Sequence, residues 1–284
     1  MTENYLYPNI RQSVWIFVLL TILSIGIGII LGILEIAIGV TLSEHPASIA
    51  LTHLVAFGLI LTIGLKRANS SLGDICPLVR VRLSLVFPMV LTVIGTGILL
   101  SEIDNLLRVF LPVPVLLADF VERLVSAQES LWGSVLALVV IAPLAEELLV
   151  RGLILRGFLS HYTTRKAIIA SAIFFGLMHL NPWQFIGATT WGILFAWWFI
   201  QTRSIVPCLF GHALVNALPL IATAVFRLEI PGFTGDFGKV EFQPLWFNFL
   251  GIVLAVAGVW LLIHKFRKSS HMVPADVIGD TSDK

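Results

Sequence analysis

Eight polar side chains interrupt the apolar second half of this sequence: Glu146, Glu147, Arg151, His179, Asn181, Gln184, His212 and Asn216. A charged side chain in hydrocarbon costs roughly 2.5 to 3.5 kcal/mol on insertion scales, so ionisable residues kept there face a protein interior and mark function. On a helix, Glu147 and Arg151 are four apart and share a face, whereas Glu146 is turned about 100° away. The guanidinium can therefore neutralise one carboxylate and leave the other free to act as a general base. The competing reading is a purely structural ion pair that holds helices together.

His212 and Asn216 are also four apart, so one helix face offers an imidazole and an amide together. Such a pair can hydrogen-bond a carbonyl oxygen and the negative charge that develops on it during acyl transfer. It can equally serve as polar glue between helices, a common use of His and Asn in membranes. His179 ends an apolar segment just before Asn181-Pro182, with Phe175 one turn behind it. If the helix bearing Glu146 runs on to Tyr162, Glu146 lies about 16 residues and His179 about 14 residues from the cytoplasmic turn, roughly 20 to 25 Å deep on antiparallel helices. His212 and Asn216 come out shallower on the same count, roughly 10 to 15 Å. Two His and one Glu also form the ligand set of a catalytic zinc, with Glu146, His179 and His212 as the candidates. No H-E-x-x-H run is present, and a metal-free Glu/His pair that activates water would serve the same hydrolysis.

The elements that must position these groups are membrane spans. Hydrophobic residues make up 57% of the 284 and charged residues only 12%, well under the share of about 25% in soluble domains. The chain is expected to be an all-α polytopic membrane protein. With breaks set by charge, Pro and Gly, eight spans are predicted, over 14–38, 47–65, 83–100, 130–150 with a helical extension, 166–180, 183–202, 205–226 and 244–264. The first run is longer than the core of a cleaved signal and reads as a permanent span.

Basic residues support this order. With a cytoplasmic N-terminus, the inner segments hold Arg11, Lys66, Arg67, Arg80, Arg82, Arg151, Arg156, Arg165, Lys166, Arg203, Lys265, Arg267, Lys268 and Lys284, 14 of the 18 Lys and Arg. The outer segments keep Arg108, Arg123, Arg227 and Lys239, beside a larger number of Asp and Glu. Both termini are therefore expected in the cytoplasm. The outer connections read as a short amphipathic helix around 119–125 and a loop or hairpin over 227–243. The expected organisation is 1–128 for the N-terminal spans and outer segment, 129–226 for the catalytic helices, 227–268 for the outer loop and last span, and 269–284 for a disordered tail. Cys76 and Cys208 are too isolated for a disulfide framework or thiolate site and read as core filler. A net charge of +1 suggests no nucleic-acid partner.

Glu146-Glu147-x-x-x-Arg151, Phe175-x-x-x-His179 and His212-x-x-x-Asn216, in that order and in helical context, resemble the three motifs of the CAAX prenyl protease type 2 and bacteriocin-processing family (CPBP, also called Abi) of intramembrane proteases. Gly187, Gly192 and Thr202-Arg203-Ser204-Ile205 add to the likeness, which covers about 130–220. The resemblance implies that Glu146 and His179 activate water, that Glu147 and Arg151 form the supporting pair, and that His212 with Asn216 stabilises the oxyanion. The family is often labelled metalloprotease, although a metal-independent glutamate mechanism has been argued. It implies membrane lipid and a membrane-associated peptide or protein as partners, and chain size suggests a multi-pass protein of a prokaryotic plasma membrane. A non-catalytic immunity or scaffold protein and a proton-coupled transporter are the rival functions. The transporter would favour internal repeats, and none is evident.

Overall fold

A computed structural model describes residues 6–40, 42, 45–126, 130–234 and 238–270. Among the described residues ten helices are formed: α1 (Ile10–Ile38), α2 (Pro46–Ala68), α3 (Leu72–Ile75), α4 (Leu83–Phe110), α5 (Val115–Ser126), α6 (Leu131–His161), α7 (Thr164–Met178), α8 (Pro182–Thr202), α9 (Val206–Val225) and α10 (Leu245–Ser270). No strand occurs among the described residues. The chain is an all-α, multi-pass membrane protein: α1, α2, α4, α6, α9 and α10 are each long and apolar enough to cross a bilayer.

The other two predicted spans are helices as well. The 21-residue α8 carries Trp183, Trp191, Trp197 and Trp198, which lower its hydropathy without loss of bulk. At 15 residues α7 reaches only about 22 Å, short of a hydrocarbon layer of about 30 Å. The expected end of the third span at residue 100 is overtaken by the structure, because α4 continues to Phe110. Its charged turn is held by the chain before α10: Glu102 Oε2 accepts from the Gln243 N–H at 3.0 Å, and Asn105 Nδ2 donates to Gly232 O at 2.7 Å. Gly232 meets this contact at a φ of +69°, in the left-handed region where glycine is favoured. The expected amphipathic segment is α5, and the 227–243 connection turns at Pro231–Thr234. The expected tail falls largely on 271–284, outside the described residues.

Two helix pairs are drawn together by missing side chains. A methyl at Gly192 would stand 2.7 Å from Ala172 Cα, and one at Gly176 would strike Thr189 and Phe185, so α7 and α8 run antiparallel at close range. On α4 and α10, Gly95 faces Ala255 and Gly258 faces Thr92 in the same way. Small residues at helix crossings are the usual means of association in lipid, where the hydrophobic effect is spent. The deepest core lies between these pairs and α6, with Leu149, Leu153, Leu155, Phe158, Phe195 and Trp198 all sealed. Cys208 is buried there and points its thiol at Phe195 O, while Cys76 is half-buried.

Contacts between loops define the two ends of the bundle. Leu6 binds Ser160 and His161, Arg67 lies over the Tyr7 ring, and the Ile205 N–H reaches Pro77 O, which gathers the basic connections at one end. At the other, Trp183 Nε1 donates to Leu111 O and the 231–234 turn docks on α4.

Candidate active site

The Glu146-Glu147 pair owes its surroundings to the winding of α6. The stretches Val135–Ile141 and Leu148–Leu155 are wound in wide turns bonded five residues apart, and the glutamates occupy the regular turn between them. Such wide turns are frequent at functional sites. The Ala142 N–H bonds Ala137 O, so the next N–H would reach Leu138 O. The next residue is Pro143, which has no N–H to give. Asn216 on α9 takes its place, with Nδ2 donating to Leu138 O at 2.8 Å. A break in one helix is thereby closed by the neighbouring one.

Glu147 and Arg151 pair as their spacing predicts, with Nη1 2.9 Å from Oε1, and both are sealed from solvent. Arg151 also donates to Gly192 O at 3.3 Å and stacks its guanidinium over the Phe175 ring, 4.5 Å from its centre. The same Glu147 Oε1 takes the Nδ1 proton of His212 at 2.8 Å. This bond turns His212 Nε2 toward Glu146, 3.9 Å from its Oε2. The Phe175 ring also touches His179 and His212 edge-on, with centres 5.2 and 5.6 Å away, so one aromatic holds Arg151 and both histidines in place.

Glu146 is bracketed by imidazoles. His53 on α2 brings Nε2 to 3.1 Å from Oε1, and its Nδ1 lies 2.9 Å from Ile49 O. The carbonyl fixes a proton on Nδ1, so a single further proton lies between Nε2 and the Glu146 carboxyl. The His53 ring is stacked on Phe57, 5.1 Å centre to centre. Glu146 Oε2 is buried without a hydrogen-bond partner among the described residues. His179 binds Phe175 O through Nδ1 at 2.9 Å, which leaves Nε2 as its working nitrogen. It interacts with Glu146 through space.

A cavity of about 190 Å³ opens beside these groups, lined by His179, His212 and Asn216 with Phe175, Trp191 and Phe195 among its apolar walls. At about 30 Å³ per water it has room for several, or for a short length of peptide backbone with water beside it. The Asn216 amide lines it with the second hydrogen that Leu138 O does not use.

The structure thus brings Glu146, Glu147, Arg151 and His212 into one network and sets His179 and Asn216 on the adjoining cavity wall. His212 is not shallower than the glutamates but meets them directly. The turn at Ser204-Ile205 is itself fully buried, so α9 starts well inside the protein, and the wide turns of α6 bring Glu146 nearer than 1.5 Å per residue implies. His53 was missed by sequence reasoning, although a lone histidine within the second apolar run was the signal available. For the zinc set of Glu146, His179 and His212, no group of three His, Cys, Asp or Glu among the described residues is placed to hold a metal ion.

No curated protein and no solved structure matches the chain. Residues 128–218, from the start of α6 to the middle of α9, match the family model described as Type II CAAX prenyl endopeptidase Rce1-like. The helices that converge on Glu146 are those of the match, apart from α2, and this multi-pass membrane protein therefore carries a segment that matches the Rce1-like CAAX-protease family.

Proposed function

We propose that the chain is an intramembrane endopeptidase that hydrolyses a peptide bond of a membrane-associated substrate with water activated by Glu146 and His179. Glu146 Oε2, buried without a hydrogen-bond partner among the described residues and 3.9 Å from His212 Nε2, supports this reading most directly. A carboxylate oxygen in that state is ready to take a proton from water.

Water held between Glu146 and His179 Nε2 gives its proton to the pair and attacks the scissile carbonyl. The second Asn216 N–H meets the developing oxyanion, and His212, held at Nδ1 by Glu147, joins it through Nε2 in the form that carries a proton on both ring nitrogens. The proton then passes to the departing amine. Glu147 and Arg151 do not touch the substrate; they set the ring of His212 and hold α6 against α8.

The test is cleavage of a membrane-anchored peptide by purified Glu146→Ala and Glu146→Gln protein. Both variants are expected to remain folded and inserted and to lose activity. Wild-type turnover in either would remove Glu146 from the chemistry.

A further inference from the structure

We propose that the site is entered from the non-cytoplasmic side of the membrane, and that its substrate is a membrane-anchored polypeptide whose scissile segment is exposed on that outer face. The meaning of the proposal rests on the proteolytic reading, but its test does not.

The cavity has a direction. It follows α8 from Gln184 through Gly187, Ala188 and Trp191 to Phe195, and follows α9 from His212 to Asn216. Its floor is closed by Phe175 and Phe195, which are 2% and 0% exposed. Gln184 at the other limit is exposed, one turn after the Asn181-Pro182 reversal. The cavity therefore leads from the Glu146 network to the end of the bundle where Trp183 binds Leu111.

Two features leave that end open. The 15 residues of α7 span about 22 Å, so His179 and the turn behind it stop short of the far boundary of a hydrocarbon layer of about 30 Å. The reversal itself is tight: Leu180 takes a φ of +50° and Asn181, extended before Pro182, caps α8 through its side chain.

The floor end is where the basic connections gather. Lys66, Arg67, Arg80, Arg82, Arg165, Lys166 and Arg203 all lie on the connections joined there by the Pro77–Ile205 and Leu6–Ser160 bonds. The mouth end carries only Arg108, Arg123, Arg227 and Lys239. Excess Lys and Arg mark the cytoplasmic side of short loops, so the closed floor faces the cytoplasm and the mouth faces out. A cytoplasmic protein with a lipidated C-terminus would meet the sealed aromatic floor. An exported peptide, still tethered in the outer leaflet, would meet Gln184 and slide along α8 to His179.

Accessible thiols test this directly. In full-length protein carrying Cys76→Ser, Gln184→Cys at the mouth, Gly187→Cys one turn deeper and Arg165→Cys at the opposite end are each treated with a membrane-impermeant maleimide, in right-side-out and inside-out vesicles. A Cβ at position 187 meets nothing within 4 Å, so that variant is expected to fold. The expected result is labelling of Gln184→Cys and Gly187→Cys in right-side-out vesicles only, and of Arg165→Cys in inside-out vesicles only. Labelling of the first two from the inside-out face, or from neither face, or of Arg165→Cys from the outside, overturns the assignment. The same pattern is expected in a Glu146→Ala background. Outward labelling of protein that retains Glu146 yet cleaves no anchored peptide would sink the proteolytic reading and leave the orientation standing.

Discussion

Asn216 has two amide hydrogens and two possible uses, and a double-mutant cycle with Pro143 separates them. One hydrogen satisfies Leu138 O, the carbonyl that Pro143 leaves without its helical donor. Asn216→Ala leaves that carbonyl buried and unpaired, at a cost of about 1 to 3 kcal/mol in stability. Pro143→Ala restores an N–H one residue beyond Ala142, in line with Leu138 O, so in that background the Asn216→Ala cost should shrink by about 0.5 to 3 kcal/mol, the range of coupling between residues that share a partner. If the second hydrogen also serves the oxyanion, Asn216→Ala lowers kcat by about 10²- to 10³-fold, the usual loss for one such donor. Pro143→Ala does nothing for that hydrogen, so the kcat loss should be the same in both backgrounds. Equilibrium unfolding in detergent measures the first quantity and cleavage of an anchored peptide the second. An equal stability cost in both backgrounds would refute the link between Pro143 and Asn216. A kcat loss that vanishes once stability is restored would refute the oxyanion role.

Three further outcomes are expected. His53→Ala removes one anchor of Glu146; a hydrogen bond to a charged group is worth about 1.5 to 3 kcal/mol, so kcat should fall by about 10- to 100-fold with KM little changed, and His53→Gln, which keeps a donor, should recover part of it. Equal losses in the two variants would reduce His53 to a packing residue. Arg151→Met leaves Glu147 buried without its cation and should cost about 3 to 5 kcal/mol, read as a loss of folded protein in detergent, whereas Glu147→Gln with Arg151→Met should regain stability but not activity, because His212 still lacks its carboxylate. Gly192→Ala drives a methyl into Ala172 and should destabilise by about 1 to 3 kcal/mol in a thermal-unfolding comparison, with Gly187→Ala, which meets nothing, as the silent reference.

Much of the site could be read from residue types and spacing. The Glu147–Arg151 bond follows from helical geometry, and the ordered trio of motifs pointed to the same family as the later match over 128–218. What escaped depended on backbone detail. His53 is one histidine in an apolar run, and nothing in its neighbours reveals that Glu146 lies 3.1 Å from its ring. Pro143 is visible in the sequence, but the register that leaves Leu138 O for Asn216 depends on wide turns that residue types do not announce. The depth of His212 was misjudged for a related reason: a turn was assumed to lie at the membrane surface, whereas Ser204 and Ile205 are fully buried beneath the chain at Pro77. The charged end of α4 shows the same failure in reverse, since Glu102 and Asn105 look like a loop until their partners around Gly232 and Gln243 are known.

The functional unit is consequently larger than the matched segment. Within 128–218 the carboxyl of Glu146 has His212 near one oxygen, while the other is met by His53 from α2, far outside that segment. Without α2, Oε1 would lose its hydrogen-bond partner, and an unpaired carboxylate in an apolar setting is costly enough to drive the side chain elsewhere. The N-terminal helices therefore do more than anchor the chain: α2 fixes the orientation of the Glu146 carboxyl, and the N-terminal strap over Ser160 and Tyr162 ties α1 to the end of the helix that carries it. On the proposed mechanism the matched segment supplies the reacting groups, and His53, which lies outside it, sets the orientation of the base among them.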